Sequence, residues 1–373
     1  MIAITNGKFF IENRLIEGQT ILIGDGSILA IAEIPIPKGA AIIDAKGAYV
    51  TPGFLDLQIY GSGGNLFSAY PTAETLAQMD DHLISKGTTG FLACVATNTA
   101  DIVSQAIAAA KEYRPVAKGF LGLHLEGPYL NAKRRGAHPE AYIKKATLEE
   151  VKRLIEDADG VVRMMTIAAE LQDEDVLDYL AAQDVVLSLG HSDATFEQAS
   201  AAYARGFSTT THLFNAMAPI HHRAPNLPVA VLNHRSAMAS IIADGRHVDF
   251  EMVKLSHKVM GNRLFLITDA VTPCSIGPYQ HQLEGDKFVT PDGTLSGSNI
   301  TLLKAVQNCI AHCGISLIDA LQLASENPSK LMGLNNKFGT LSVGNAANLL
   351  FLNEKLGLEK VFMNGAEYLG SKN

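Results

Sequence analysis

The sequence contains no apolar run long enough to cross a bilayer and no long run of lysine or arginine. A membrane-spanning helix needs roughly 20 consecutive apolar residues, whereas the longest apolar runs here have the length of a strand. The formal net charge is −8, so neither a nucleic acid nor an anionic membrane is expected as a partner. An anionic small molecule stays compatible with this charge, because a few local cations and backbone N–H groups can hold one.

Cysteine is scarce, and the N-terminus lacks the pattern of a secretory signal. Four cysteines (Cys94, Cys274, Cys309 and Cys313) are scattered without zinc-ribbon spacing and are expected to be ordinary thiols. The first residues, MIAITNGKFF, carry polar and charged side chains instead of a basic segment followed by an apolar core. Together these features predict a cytoplasmic protein.

The size and the two ends of the chain predict two structural units. A length of 373 residues suits one large barrel with a smaller accessory unit. Hydrophobic residues make up 47% of the chain and charged residues 18%, which favours a sheet covered on both faces. Short apolar stretches separated by glycine-bearing turns occupy both ends. We therefore expect residues 1–50 and 339–373 to form one β-sandwich and residues 51–338 to form the larger domain.

The middle of the chain alternates apolar strands with amphipathic helices, a pattern typical of a parallel sheet. The eight predicted strands are residues 54–59, 90–96, 120–127, 162–170, 185–192, 208–214, 238–245 and 264–270. Helical stretches lie between them, such as the one with Thr195 as N-cap that ends at Gly206. Because the alternation is unbroken, it predicts an α/β fold, a (β/α)8 TIM-type barrel with a small β-sandwich formed by both termini.

Polar side chains mark the carboxyl ends of the predicted strands, where a barrel of this type builds its active site. These side chains are Gln58, Glu126, His191, His212, Asp244, His247 and Asp269. A single histidine in such a place is more often a hydrogen-bonded core residue. Glu126, His191 and His212 together, however, supply the two imidazoles and one carboxylate of a catalytic zinc site with a position open for water. The pattern therefore predicts a metal-dependent hydrolase.

Three further residues are candidates for catalysis or binding. Asp269 lies at the end of the eighth predicted strand and is placed to accept a proton from the attacking water, although an N-cap of the next turn is the alternative. His138 lies on the loop after the third strand beside three basic residues, where a surface position is equally open. Arg223 follows the sixth strand, and its guanidinium suits a phosphate or carboxylate. The neighbouring His221 and His222 are assigned no role.

The motifs at these positions resemble those of the N-acetylglucosamine-6-phosphate deacetylases, a branch of the amidohydrolases. The motifs are PGFLDLQIYGSGG (52–64), HLEGPYLN (124–131), GAH (136–138), GHSDAT (190–195), THLFNAM (211–217), HHRAPN (221–226), ADGRHVD (243–249), TDA (268–270) and GTLSGS (293–298). Their order and spacing extend over the whole chain. The resemblance implies a (β/α)8 barrel with a β-sandwich, and hydrolysis of N-acetyl-D-glucosamine 6-phosphate to glucosamine 6-phosphate and acetate in amino-sugar catabolism.

The resemblance also implies roles for individual residues. Glu126, His191 and His212 would hold one divalent metal ion, with Zn2+ favoured and Fe2+, Mn2+ or Co2+ able to occupy the same ligands. Asp269 would accept and return a proton, and His138 would contact the substrate carbonyl oxygen. The sugar phosphate would contact Ala137, His138, Asn215, Ala216, Arg223, Asp244, Gly245, Arg246, His247, Leu295, Ser296 and Gly297. A homodimer is implied as well.

The end of the first strand departs from the wider superfamily, in which His-x-His helps to bind a second metal ion. Here the position reads Gln58-Ile59-Tyr60, and tyrosine is a poor ligand at neutral pH. One metal ion is therefore expected, with Gln58 as a weak or water-mediated contact.

Three alternatives stay open at this point. The first is deacetylation of N-acetylgalactosamine 6-phosphate, since inversion of one hydroxyl need change only one contact. The second is a different amidohydrolase, which is disfavoured because MMTIAAE on the fourth strand lacks the lysine that such relatives often carboxylate. The third is a non-catalytic binding protein, which is disfavoured because Glu126, His191, His212 and Asp269 are all present.

Overall fold

The computed structural model describes residues 1–370, and its N-terminal part consists of short strands joined by tight turns. The strands are β1 (Ile2–Thr5), β2 (Lys8–Ile11), β3 (Arg14–Ile16), β4 (Thr20–Gly24), β5 (Ser27–Ala32), β6 (Ala41–Asp44) and β7 (Tyr49–Pro52). The turns Glu12-Asn13 and Asp25-Gly26 have positive φ at both residues. This is the backbone conformation of a type I′ turn, whose twist matches the twist of a hairpin.

Eight parallel strands follow and form one sheet. They are β8 (Phe54–Ile59), β11 (Thr88–Ala96), β12 (Phe120–Glu126), β13 (Val162–Ile167), β14 (Val186–Leu189), β15 (Thr209–Thr210), β16 (Met238–Ile241) and β17 (Leu264–Leu266). Each strand pairs with the next in chain order, and a parallel bridge between Ile59 and Ala270 joins the last strand to the first. The sheet is therefore a barrel, and the fold prediction is confirmed.

Helices cover the outside of the barrel. They are α1 (Ala73–Ser85), α2 (Ala100–Tyr113), α3 (Leu148–Ala158), α4 (Glu174–Ala181), α5 (Phe196–Arg205), α6 (Leu227–Asn233), α7 (Phe250–Met260), α8 (Leu302–Cys313), α9 (Leu317–Ala324) and α10 (Glu326–Leu331). The predicted bounds of α5 are confirmed, because Thr195 caps its N-terminus in a capping box with Gln198 and Gly206 ends it. The four cysteines carry free thiols, as predicted.

Two short hairpins lie on the side of the barrel where the strands end. The first pairs β9 (Gly61–Ser62) with β10 (Asn65–Leu66), and the second pairs β18 (Gln282–Glu284) with β19 (Lys287–Val289). Tyr279, just before the second hairpin, donates a hydrogen bond from its hydroxyl to the carbonyl oxygen of Thr97 at 2.7 Å. The segment before the second hairpin therefore contacts the loop that follows β11.

The C-terminal strands return to the N-terminal ones. They are β20 (Leu349–Leu352), β21 (Leu358–Met363) and β22 (Ala366–Glu367), and β20 pairs antiparallel with β7. One sheet has the order β5-β4-β1-β6 and the other the order β22-β21-β20-β7-β2-β3. Ile4, Ile21, Val50 and Phe351 belong to one buried cluster with residues of both sheets. Both termini thus form a β-sandwich, as predicted.

The boundaries assigned to the two domains stay a prediction, and the last three residues of the segment 339–373 lie outside the described residues. Within residues 1–370, no helix is long and apolar enough to cross a membrane.

The sixth and eighth barrel strands are shorter than predicted. The sequence indicated strands over residues 208–214 and 264–270, whereas β15 ends at Thr210 and β17 ends at Leu266. The residues that follow leave the extended conformation, with φ of 34° at His212 and 54° at Asp269. The functional side chains therefore stand on turns just past the strands, and these turns carry the left-handed backbone that is rare outside glycine.

Candidate active site

Glu126, His191 and His212 converge at the carboxyl end of the barrel. Glu126 is the last residue of β12, and the two histidines follow β14 and β15 by two residues each. Nε2 of His212 lies 3.0 Å and Nε2 of His191 lies 3.3 Å from Oε1 of Glu126. The two Nε2 atoms are 3.1 Å apart. All three side chains are buried, so one small volume receives three electron-pair donors.

The backbone explains why both imidazoles point into this volume. His191 has φ of 48° and His212 has φ of 34°, so each residue turns out of its strand instead of continuing it. Nδ1 of His191 donates to the carbonyl oxygen of Arg134 at 2.9 Å, which leaves Nε2 as the free ring nitrogen. The backbone N–H of His212 donates to Oγ of Ser240 at 2.7 Å. The orientation of both rings is therefore set from outside the cluster.

The electrostatics of the cluster fit a bound cation. Burial raises the pKa of Glu126, but the electrostatic influence of the neighbouring His191, His138 and His212 outweighs it and holds the pKa well below its ordinary value. Burial and the neighbouring His138 lower the pKa of His191. An ionised carboxylate beside a neutral imidazole presents lone pairs that repel each other unless a cation lies among them. The geometry and the donor set thus fit a divalent metal ion.

Asp269 faces the same volume from the other side. Its burial, and after it the charges of Glu126, Asp244 and Asp56, raise its pKa well above the ordinary value, although His212 acts in the opposite direction. Oδ2 of Asp269 lies 3.9 Å from Nε2 of His247. The other ring nitrogen of His247 is 2.6 Å from Oδ2 of Asp244. This carboxyl group therefore binds a proton more readily than an exposed one.

Gln58 and Tyr60 close the site at the end of β8. The hydroxyl of Tyr60 donates to Oε2 of Glu126. The amide nitrogen of Gln58 lies 3.0 Å from Oε1 of Glu126, 3.0 Å from the hydroxyl of Tyr60 and 2.8 Å from Oδ1 of Asp269. An amide nitrogen can donate hydrogen bonds but offers no lone pair to a metal ion. The space between these three oxygens is therefore filled by the side chain of Gln58.

His138 contacts the cluster from the loop after β12. Its Nε2 lies 3.2 Å from Oε2 of Glu126, and its Nδ1 lies 2.9 Å from Oγ1 of Thr97. The side chain is buried, so the structure places His138 inside the site and not on the surface. A hydrogen on Nε2 is the consistent assignment, because this atom faces an ionised carboxylate.

A cleft with an empty volume of about 740 Å3 opens above these residues. Of the residues predicted to contact substrate, those that line it are Ala137, His138, Asn215, Ala216, His247, Leu295, Ser296 and Gly297. Asp244 and Gly245 do not line it; instead, Asp244 binds the ring of His247.

The two predicted arginines lie elsewhere. Arg223 is exposed on the loop before α6 and does not line the cleft. The guanidinium of Arg246 binds Oδ2 of Asp286 at 2.9 Å, on the turn between β18 and β19. Both positions depend on long loops, whose paths sequence patterns do not fix.

Residues that the sequence patterns do not reveal complete the surroundings of the site. Tyr60 is a poor metal ligand at neutral pH, but its hydroxyl donates a hydrogen bond to the carboxylate of Glu126. Glu170, just past β13, accepts hydrogen bonds from the loop after β12 and from the segment directly after His191. Tyr279 and His281 line the cleft from the segment before β18. The acidic residue at the end of a barrel strand was the one available signal for Glu170.

Comparison with known proteins identifies the family of this chain. The model of the amidohydrolase family matches residues 49–367. The N-acetylglucosamine-6-phosphate deacetylase of Haemophilus influenzae is 30% identical over 93% of this chain and 94% of its own length. The human N-acetylglucosamine-6-phosphate deacetylase is 33% identical over 86% of this chain and 84% of its own.

Solved structures agree as well. The N-acetylglucosamine-6-phosphate deacetylase of Pasteurella multocida superposes with a TM-score of 0.93 at 32% identity, over 98% of this chain and 99% of that one. A mutant of the Mycobacterium smegmatis deacetylase in complex with N-acetyl-D-glucosamine-6-phosphate superposes with a TM-score of 0.89 at 28% identity, over 98% of this chain and 99% of that one.

The barrel, its terminal β-sandwich and the cluster of one carboxylate with two imidazoles define a class of hydrolases, and this chain belongs to the amidohydrolase family. Within that family its similarity is to the N-acetylglucosamine-6-phosphate deacetylases, over most of its length. This outcome confirms the family to which the sequence motifs pointed.

Proposed function

We propose that this chain hydrolyses the acetamide of N-acetyl-D-glucosamine 6-phosphate and releases glucosamine 6-phosphate and acetate. The observation that carries the proposal is the convergence of Glu126, His191 and His212 opposite the buried Asp269, at the base of a cleft. Such a set serves hydrolysis of a bond as stable as an amide, which needs both an activated water and a proton for the leaving nitrogen.

Glu126, His191 and His212 would hold one divalent metal ion, for which Zn2+ is the first choice. When bound, such an ion supplies Lewis acidity, which polarises a carbonyl group and makes water a stronger acid. Gln58 donates hydrogen bonds from its amide nitrogen to the carboxylates of Glu126 and Asp269. This nitrogen therefore occupies the space between the two carboxylates that a second metal ion would need. This supports a single metal ion and argues against Gln58 as a direct ligand through its nitrogen.

Asp269 would move the proton. Its Oδ1 is held by Gln58 at 2.8 Å, so Oδ2 is the oxygen that is free to act. Because its surroundings favour the protonated form, Asp269 is a stronger base than an exposed carboxylate. It would take a proton from the attacking water and then return it to the nitrogen of the departing amine, which is too basic to leave as an anion.

His138 would stabilise the oxyanion that forms on the substrate carbonyl. Its Nε2–H faces Oε2 of Glu126 at 3.2 Å and would turn from this carboxylate to the substrate oxygen, while Thr97 fixes the other ring nitrogen. Donors held in place at a developing oxyanion contribute about 3–4 kcal/mol to transition-state stabilisation.

The sugar phosphate would lie in the cleft against Ala137, Asn215, Ala216, His247 and the segment 295–297. Asp244 orients the ring of His247 and would act on substrate only through it. Gly245 and Arg246 would shape this loop without touching substrate, since the guanidinium of Arg246 binds Asp286.

Arg223 would bind the phosphate of a substrate molecule that lies in the cleft of a neighbouring copy of the chain. It is exposed and lies outside the lining of its own cleft, and its guanidinium suits a phosphate dianion. A homodimer therefore belongs to this proposal. We also place the protein in the cytoplasm, where phosphorylated sugars occur. Light scattering on the purified protein tests the dimer.

The alternative substrate, N-acetylgalactosamine 6-phosphate, is disfavoured, because the similar curated proteins bear the glucosamine name. Acetate release from the two epimers by the metal-loaded protein tests the choice. We expect kcat/KM to be about fivefold to 150-fold higher for the gluco epimer, since one misplaced polar contact costs roughly 1–3 kcal/mol. Equal values would remove the specificity from the proposal, and no release from either sugar would remove the reaction.

A further inference from the structure

The carboxylate of Glu170 joins two loops of the active site without reaching the metal cluster. Oε1 accepts hydrogen bonds from Nδ2 of Asn131 at 2.9 Å and from the backbone N–H of Asp193 at 2.8 Å. Oε2 accepts from Oγ of Ser192 at 2.8 Å. Asn131 belongs to the loop after β12, whereas Ser192 and Asp193 follow β14 directly after His191. Three donors from two loops therefore meet at the carboxylate of one side chain.

Both of these loops hold His191. The backbone N–H of Asn131 donates to the carbonyl oxygen of His191 at 2.9 Å. Arg134, three residues further along the same loop, accepts from Nδ1 of the His191 ring at 2.9 Å. Arg134 also binds Oδ1 of Asp193 through Nε at 2.7 Å. The loop after β12 thus holds both the ring and the backbone of His191. Glu170 in turn connects this loop to the segment after His191.

The backbone of His191 needs such support. Its φ of 48° lies in the left-handed region, which costs a non-glycine residue energy unless surrounding contacts enforce it. Without them, residues 191–193 would relax toward extended backbone, and Nε2 would turn away from Oε1 of Glu126. The distance of 3.3 Å between these atoms is therefore a consequence of the loop contacts as well as of the strand.

We propose that Glu170 is a positioning residue, whose hydrogen bonds to Asn131, Ser192 and Asp193 hold His191 in the conformation that binds the metal ion. The proposal rests on the metal binding of the proposed function but goes beyond the ligands themselves. Replacement of a group that orients a metal ligand typically lowers the metal affinity about tenfold to a hundredfold. The role of Glu170 follows from hydrogen-bond geometry and not from its charge.

Glu170→Gln and Glu170→Ala separate these two causes. A glutamine oxygen can keep the bonds from Asn131 and Asp193, while its amide nitrogen donates to Oγ of Ser192, which then accepts. Glutamine thus preserves the geometry and removes the charge, whereas alanine removes both. Glu150→Ala is a matched control, because Glu150 is also half-buried and accepts from Tyr129 at 2.9 Å, on α3 away from the cluster.

The experiment is a titration of the chelator-treated proteins with Co2+ alone, by calorimetry and by the visible absorption of the bound ion. We expect Glu170→Ala to bind Co2+ about tenfold to a hundredfold more weakly and with altered absorption. Glu170→Gln and Glu150→Ala should match the wild type in both readouts. Wild-type affinity and absorption in Glu170→Ala would overturn the proposal. So would a Glu170→Gln protein as weak as Glu170→Ala, or an equal loss in Glu150→Ala.

Asn131→Ala keeps the proposal testable if Glu170→Ala does not fold. It removes one donor to Glu170 and should weaken Co2+ binding severalfold, whereas unchanged binding would contradict the network. This test does not depend on the reaction. If the wild-type protein binds Co2+ but releases no acetate, only the proposed function is contradicted. If the wild-type protein is active and Glu170→Ala binds Co2+ with wild-type affinity, only the positioning role is contradicted.

Discussion

The amide nitrogen of Gln58 lies 2.8 Å from Oδ1 of Asp269, so the end of the first barrel strand meets the turn after the last one at the proposed proton acceptor. The same nitrogen lies 3.0 Å from Oε1 of Glu126. Gln58 therefore orients the proposed proton acceptor and one metal ligand together. An uncharged donor therefore lies between two carboxylates.

Replacement of Gln58 by leucine removes this donor at nearly constant volume. We expect kcat for N-acetyl-D-glucosamine 6-phosphate to fall about tenfold to a hundredfold, because Asp269 loses its orientation. KM should change little, because the contacts of the substrate stay intact. Steady-state kinetics at saturating metal measure the effect. Gln105→Leu, on the exposed side of α2 where Gln105 binds Asp101, is the control. A Gln58→Leu protein with wild-type kcat would contradict the role.

Asp269→Asn keeps the shape of the side chain and its bond from Gln58 but removes the base. Turnover should fall by about a hundredfold to ten-thousandfold, the range of general acid–base catalysis. The metal content by mass spectrometry and the Kd for substrate should stay close to wild type. An Asp269→Asn enzyme with normal turnover would show that another group moves the proton.

Arg223→Ala tests the proposed phosphate contact. Loss of a guanidinium–phosphate pair should raise KM for the phosphorylated sugar far more than for unphosphorylated N-acetyl-D-glucosamine, since only the first carries the anion. Arg235→Ala, another exposed arginine before β16, serves as the control. Equal effects of Arg223→Ala on both sugars would exclude Arg223 from the phosphate site.

Asp56 predicts a pH dependence of stability. Burial, partly offset by hydrogen bonds from Thr268 and the Gln58 N–H, raises its pKa from 3.8 to about 7. The native state therefore retains this proton between about pH 4 and pH 7 while the unfolded state has lost it, so the contribution to stability is complete below about pH 4 and disappears as the pH rises through 7. Urea denaturation at several pH values should show a smaller fall in unfolding free energy for Asp56→Asn than for wild type. Parallel slopes would contradict the assignment.

The convergence of the three proposed metal ligands was predictable because each lies at the end of an apolar strand or just past it, and the ends of parallel strands meet on one side of a barrel. The same reasoning does not identify His124. This histidine is two residues before Glu126, yet its ring binds the carbonyl oxygen of Leu57 and the hydroxyl of Thr166 inside the barrel. Alternation along β12 alone does not reveal which polar side chain finds a structural partner.

The loops account for most of what the sequence did not reveal. Glu170 meets Asn131 and Ser192 only after β12, β13 and β14 have been placed side by side. Arg246 was expected at the substrate because of its motif, but Asp286 on a distant hairpin binds its guanidinium. These contacts depend on loop paths, which tertiary packing determines and local patterns do not.

Release of acetate from N-acetyl-D-glucosamine 6-phosphate, before and after removal of the metal, tests the central claim most directly. The purified protein should release one acetate for each glucosamine 6-phosphate formed, lose this activity with a chelator, and regain it when one equivalent of Zn2+ or Co2+ is added. Full activity in the chelated protein at verified zero metal content, or no acetate release after reconstitution, would contradict the account.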